Sequence, residues 1–348
     1  MRNLEPGQSL CFDSVATSPA VDENARIASL NVFLKEWFGR HRDMHCYLAI
    51  DPSQRDWTSD DADGKPQLSE LHRVDVDIDH GAFPEAHRPY LLKLDLATPI
   101  GVNALAHSVR VAYEDRRPES MAEGLGQRVG GWLGSRASPE EVAMYWSRLA
   151  LQCDDNRRTC VLRFYDSRAM ALIWGTLSRM QRQAMLGPVR AWHVLDASAT
   201  PKLHLASSEP RPDFVLSAAQ WQKIHRHGFV NRALALHARA CCRQPAPGEI
   251  ETAIAAAERA ERYRLTDRDD WVAFIGHALT WHPQFDLHPK VLLLLENKAD
   301  DDFYTSVIGQ LTADDIDEIQ HGSWHEHLAA LAPAKAQHAH GIDYDDNV

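Results

Sequence analysis

The sequence predicts an α+β protein, with an N-terminal mixed α/β lobe (a small sheet flanked by helices) followed by an all-α helical C-terminal lobe. Three observations predict it. At 348 residues the chain exceeds one ordinary domain, since roughly 100–200 residues per domain is usual. Strand-like and helix-like runs interleave up to about residue 200, which implies packed layers of sheet and helix. From about residue 213 the apolar spacing is helical throughout. On this reading residues 1–22 are a flexible arm, 23–205 the mixed lobe, 206–212 a linker, 213–332 the helical lobe and 333–348 a disordered tail.

Each element has its own signal. Ile27, Leu30, Phe33, Leu34 and Trp37 recur at helical spacing and stop at Gly39, a residue suited to a helix end. Cys46-Tyr47-Leu48-Ala49-Ile50 is a short apolar run closed by Asp51-Pro52 and reads as a buried strand. Residues 53–70 read as a surface excursion. Val74 to Asp79 alternates strictly and predicts a half-buried strand. Pro89 to Leu96 is a second strand. Gly124, Gly126, Gly130, Gly131 and Gly134 suggest a flexible passage around Val129 and Trp132. Ser138-Pro139-Glu140-Glu141 has the cap, the proline and the acids of a helix start. Cys160 to Tyr165 reads as a strand and residues 168–185 as one helix.

Ala206 to Pro212 has linker composition. Beyond it, residues 217–240 form a helix carrying Trp221, Ile224, Val230, Leu234 and Leu236. Pro245-Ala246-Pro247-Gly248 precedes an alanine-rich helix, and Thr266-Asp267 caps another that holds Trp271 and Phe274. Val291 to Leu295 and the stretch opening at Leu311 complete a small bundle.

Composition excludes several classes. Lys and Arg total 37 against 49 Asp and Glu, a net charge of −12. That balance lacks the basic footprint of a nucleic-acid binder and suits a basic partner segment. No uncharged apolar run approaches the roughly 18 residues of a membrane span. Met1 to Gly7 contains no signal-peptide core, so the expected location is the cytoplasm. Cys11, Cys46, Cys153, Cys160, Cys241 and Cys242 form no CxxC pair. They read as buried, reduced thiols.

Catalytic motifs are weak. Asp75, Asp77 and Asp79, followed by His80, place carboxylates on one strand face and raise the alternative of a metal-dependent hydrolase. The simpler reading is a solvated strand face, because neighbouring side chains along one strand do not enclose an ion by themselves. The histidine pairs His225/His227, His325/His327, His338/His340 and His41/His45 read as surface or interface residues. No G-x-S-x-G, phosphate loop or dinucleotide fingerprint is present. The expectation is a binding protein rather than an enzyme, with no cofactor.

The most informative segment is Leu162-Arg163-Phe164-Tyr165-Asp166-Ser167-Arg168, in which Asp166 or Ser167 can cap the following helix. Met170, Ile173, Trp174, Leu177 and Ala184 give that helix an apolar stripe, and Gly187-Pro188 ends it. Arg163 and Arg168 flank Asp166, which predicts a partly buried charge cluster at the corner. The whole run, VLRFYDSRAMALIWGTLSRMQRQAMLGPVRAW, resembles the hallmark of the type VI secretion effector adaptors, or effector chaperones of the Tap or Tec type. That hallmark is close to L-F-R-F-Y-D-P-R, a helix, then F-F-G-P and an aromatic. The matching positions are Arg163, Phe164, Tyr165, Asp166, Arg168, Gly187, Pro188 and Trp192. Ser167 stands where the family has proline, and Met185-Leu186 where it has two phenylalanines. CYLAIDPS, HRPYLLKL and GGWLGSRASPEEVAMYWSRL are similar to the family's earlier strands and the helix before the hallmark. The region from Ala238 to Pro289 is similar to its C-terminal helices.

The resemblance implies a cytoplasmic adaptor with two partners, a secreted effector protein and the spike protein of a type VI apparatus. No nucleic acid, membrane or cofactor is implied, and the free chain is expected to be a monomer. Trp281 and Trp324 in the helical lobe are candidates for the partner surface.

Overall fold

In the computed structural model, which describes residues 19–55, 57, 70–154, 156–207 and 213–326, the apolar run after Gly39 becomes β1 (His45–Ile50). This strand is buried at every position except its first. A continuous apolar run belongs in a sheet covered on both faces. β1 pairs antiparallel with β3 (Tyr90–Leu94) on one side and with β4 (Val129–Ser135) on the other. β2 (Arg73–Asp75) lies outside β3, while β7 (Val189–Leu195) and β8 (Pro201–Leu205) continue the sheet beyond β4. The order is β2-β3-β1-β4-β7-β8, and a separate hairpin joins β5 (Leu151–Cys153) to β6 (Thr159–Val161).

Strand alternation feeds two cores. On one face Cys46, Leu48, Ile50 and Trp132 meet Leu30, Leu34 and Phe38 of α1 (Pro19–Arg40) and Leu105 and Val109 of α2 (Pro99–Glu114). On the other, Tyr47, Leu133 and Trp192 meet Trp146 of α4 (Pro139–Ala150), Met170 of α5 (Ser167–Thr176) and Met185 of α6 (Arg179–Leu186). The short α3 (Pro118–Glu123) connects α2 to β4. Antiparallel strands between two helical layers make the chain α+β, and each large apolar side chain so buried contributes about 1.5–3 kcal/mol.

Four local expectations change. The passage around Val129 and Trp132 is not flexible but is β4, buried along its whole length. Its glycines admit neighbours: a Cβ on Gly130 would stand 2.3 Å from the Tyr165 carbonyl oxygen. The strand expected over 74–79 ends at Asp75, though Val76 and Ile78 remain fully buried. The strand expected over 160–165 ends at Val161, because Phe164 and Tyr165 turn inward before α5. The single helix expected over 168–185 is two. Ser178 accepts from Gln181 N and Gln181 caps Ser178 N in return, a reciprocal box that starts α6. Helix α2 and strands β7 and β8 are additional to the sequence reading.

The compact units divide between Ile224 and His225. Phe214, Leu216, Trp221 and Ile224 pack on the core that holds Trp146 and Trp192, so the first residues after 213 belong to the N-terminal unit. Helix α7 (Ala218–Cys241) runs across the division. The second unit continues with α8 (Pro247–Ala260), α9 (Arg268–Thr280), α10 (Pro289–Glu296), α11 (Tyr304–Ile308) and α12 (Ala313–His321), and has no strand among the described residues. Phe274 lies 4.9 Å from Phe285 and 5.5 Å from Tyr304, ring to ring, forming its aromatic centre. Asp267 caps α9 as the sequence predicts, and Thr312 caps α12. Buried Asp270 accepts from Tyr304 N at 2.8 Å and Thr305 N at 3.1 Å, which satisfies the start of α11.

Of the expected arm, residues 1–18 lie outside the described residues and 19–22 form the first turn of α1. Residues 208–212 of the linker and the tail 333–348 also lie outside them. Among the described residues no helix is long and apolar enough to cross a membrane. Cys46 is buried, but Cys153, Cys241 and Cys242 are exposed and Cys160 is half-buried, so the expectation of uniformly buried thiols is corrected.

Candidate functional site

The hallmark segment folds as a tight corner between β6 and α5, and its aromatic residues point into the core. Phe164 is fully buried, with its ring 5.2 Å from that of Trp146 and 6.2 Å from that of Trp192. Trp146 stacks on Trp192 at 5.1 Å. Indole N–H groups need a partner when buried, and Trp192 Nε1 donates to the Gly130 carbonyl at 3.0 Å. Tyr165 is also buried, which pushes its phenol pKa up.

The charged members form an ionic corner. Asp166 is the cap of α5, accepting from Arg168 N at 3.0 Å. The Arg168 side chain returns to the same carboxylate through Nε at 3.1 Å and Nη2 at 2.7 Å. Arg163 lies 3.7 Å from Asp166 but donates its main bonds elsewhere, to Asp51 at 2.6 Å and Ser53 Oγ at 2.5 Å. Burial alone would raise the Asp166 pKa; the charge and hydrogen bonds of Arg168, with the charge of Arg163, outweigh it and hold the carboxyl at about 2.

Residues that the sequence reading missed complete this corner. Ser167 donates to Gln127 Oε1 at 2.5 Å and accepts from Arg116 Nη2 at 3.1 Å. Arg116 also donates to the Leu195 carbonyl at 2.7 Å, and burial pushes its pKa down to about 10. Asp115 accepts from Arg128 N at 2.8 Å and Arg128 Nη2 at 2.8 Å, and pairs with Arg55. These groups come from the ends of β1 and α2 and the starts of β4 and α5, so one edge of the central strands is closed by charge. Their signal in the sequence is a polar residue abutting an apolar run: Asp51 after Ile50, Asp115-Arg116 after α2, Arg128 before Val129.

Gly187 and Pro188 stop α6 as expected. Gly187 has φ +53°, and a Cβ there would stand 2.1 Å from the Tyr145 ring. Tyr145 in turn donates its hydroxyl to the Ala184 carbonyl. Pro188 reaches the surface beside a groove of about 580 Å³ lined by Met144, Tyr145, Arg148 and Phe214. Of the hallmark positions, Arg163, Arg168 and Pro188 therefore keep contact with the surface, while Phe164, Tyr165, Asp166, Gly187 and Trp192 are buried.

The other candidates lie apart. Asp75 pairs with Arg73 at 2.7 Å, and Asp77 with Arg88 at 3.0 Å. His80 contacts the Thr159 carbonyl at 3.1 Å. Arginines thus hold two of the carboxylates, and among the described residues no group of three or more His, Cys, Asp or Glu side chains could hold a metal. Trp281 and Trp324 are half-buried. Trp281 stacks on His277 at 3.8 Å, while Trp324 meets His282 at 4.9 Å and donates to the Ile319 carbonyl at 3.1 Å. His338 and His340 lie outside the described residues, as does His327.

Residues 84–184 match the model of a family described as a domain of unknown function, DUF4123. The matched stretch runs from before β3 into α6, and so contains Arg163 to Arg168 but ends short of Gly187. No curated protein and no solved structure matches the chain.

Proposed function

We propose that this chain is a cytoplasmic adaptor that binds one secreted effector protein and helps to load it onto the spike protein of a type VI secretion apparatus. The observation that carries the reading is the hallmark corner: Arg163, Phe164, Tyr165, Asp166 and Arg168 stand in the family's order, inside the stretch matched by a domain known in such adaptors. The chemistry is recognition rather than catalysis, and it needs no cofactor. Because most of the hallmark is buried, its task is to fix the N-terminal scaffold, and contact falls to surfaces that the scaffold presents. Cargo-specific contact is assigned to the helical unit, where Trp281 and Trp324 each keep part of a ring at the surface. The test is co-expression with the product of the adjacent gene, followed by purification of the full chain. A stoichiometric complex supports the adaptor, and a neighbourhood with neither a spike gene nor an effector gene defeats it.

A further inference from the structure

β8 is an edge strand of the sheet, paired with β7 on one side only. The register fixes which of its backbone groups point outward. Asp196 N donates to the Thr200 carbonyl and Ala206 N to the Arg190 carbonyl. In an antiparallel ladder the bonded pairs alternate, so Lys202 and His204 bond inward to β7. Leu203 then directs its N–H and C=O away from the sheet, as do the Pro201 carbonyl and the Leu205 N–H. An open row of this kind is a template for another strand.

The two faces beside that row differ in chemistry. On the α1 side, Leu203 and Leu205 are exposed, and so are Val32 and Phe33 of α1. Phe33 and Leu203 border a groove of about 540 Å³ whose wall includes Leu30, His193 and Val194 and whose rim carries the charges of Asp22, Arg26 and Lys202. On the α5 side the charge is positive. Lys202 is more than half exposed and only 3.6 Å from its counter-ion Asp196. Arg182 lies over the Trp174 ring, and burial together with the charges of Arg182 and Lys202 depresses the His204 pKa to about 4. Among the described residues no carboxylate pairs with Arg182 or Arg190. This edge is cationic on a chain whose net charge is −12.

We propose that β8 is a docking edge for an extended partner segment in which apolar and acidic residues alternate. The segment adds as a further antiparallel or parallel strand outside β8, exchanging backbone hydrogen bonds with Leu203. Its apolar side chains lie over Leu203, Leu205 and Phe33, with one entering the groove. Its carboxylates face Lys202 and Arg182. Backbone pairing supplies affinity, and the two faces supply specificity. The inference rests on the reading of the chain as a partner-binding adaptor and names the kind of segment it takes.

The probe is a short fluorescein-labelled peptide of alternating Val and Glu, titrated with the full chain and followed by anisotropy. Binding at least about tenfold tighter than that of the Val–Lys counterpart is expected, as is loss of binding when alternate peptide amides are N-methylated. Leu203→Pro removes the outward N–H from an edge position that tolerates proline and should weaken binding at least about tenfold at an unchanged unfolding midpoint. If that variant does not fold, Lys202→Glu serves instead and should reverse the preference between the two peptides. Equal binding of both peptides, no binding, or binding indifferent to both variants overturns the proposal. So does a dimer of the free chain that Leu203→Pro dissociates, since a second copy would then occupy the edge. A Val–Glu peptide bound equally by wild type and Leu203→Pro sinks the edge alone, whereas failure of the effector to co-purify with wild type sinks the adaptor reading.

Discussion

Asp166 joins the cap of α5 to two guanidiniums, so its charge serves the backbone and the corner together. Asp166→Asn leaves Arg168 and Arg163 without their shared counter-ion. The expected loss is roughly 3 kcal/mol, the lower end of the range for breaking a buried pair because both arginines reach solvent, measured by urea unfolding. Gly187→Ala is expected to cost about 2–4 kcal/mol by the same measurement, since the new methyl meets the Tyr145 ring in a left-handed backbone conformation. Asp166 and Gly187 were legible in the sequence because their roles are local: a cap and a stop. Asp51, Asp115 and Arg128 were not, because the partners that give them meaning sit on other elements and are brought together only by the order of the strands.

At the scale of elements, α4 was legible to its first residue. Ser138 and Glu141 cap each other, with Glu141 N to Ser138 Oγ at 3.2 Å and Ser138 N to Glu141 Oε2 at 2.7 Å. The same device at Ser178 and Gln181 was hidden by an apolar stripe that continues through Leu177 to Ala184, and so two helices read as one. Ser178→Ala should destabilise the chain by about 1 kcal/mol and speed amide exchange in the first turn of α6, as hydrogen-exchange mass spectrometry would show. Unchanged exchange there would mean that packing of Met185 and Leu186 alone holds the helix start. β4 was misread for the opposite reason. Its glycines resemble loop punctuation, yet Gly130 marks where the Tyr165 backbone approaches the sheet and Gly134 where the Trp37 ring does.

For the whole molecule, stability should depend on pH in two windows. Burial holds the pKa of His193 at about 4, with the charges of His41 and His204 adding to the effect; burial also holds His277 at about 4. An unfolded histidine near 6.5 binds protons that these folded ones refuse. The stabilisation they give is complete above that value and fades as pH falls from about 6.5 to about 4. Asp166, and Glu249 at the start of α8, which accepts from Arg243 at 2.6 and 2.8 Å, are held at about 2 and act in a lower window, losing their contribution as pH falls from about 4 to about 2. The unfolding midpoint should therefore already drop between pH 7 and pH 5. His193→Phe, placed among the rings of Phe33, Trp37 and Phe38, should flatten that drop; an unaltered slope would assign it to other groups. The α+β class was legible because periodicity decides it. The three-layer arrangement was not, since helix α2 and strands β7 and β8 entered only with the fold.

The burial of Cys46 in the middle of that sheet makes it a clock. Its side chain lies on the face of the sheet that packs against Leu34 and Phe38 of α1, and burial pushes its thiol pKa up, so it offers a reagent neither access nor thiolate. With the other cysteines changed to serine, labelling at position 46 would proceed only as fast as the helical layer over that face lifts from β1. The rate at which a maleimide reacts would report how often that layer opens, with no partner and no assay of function required.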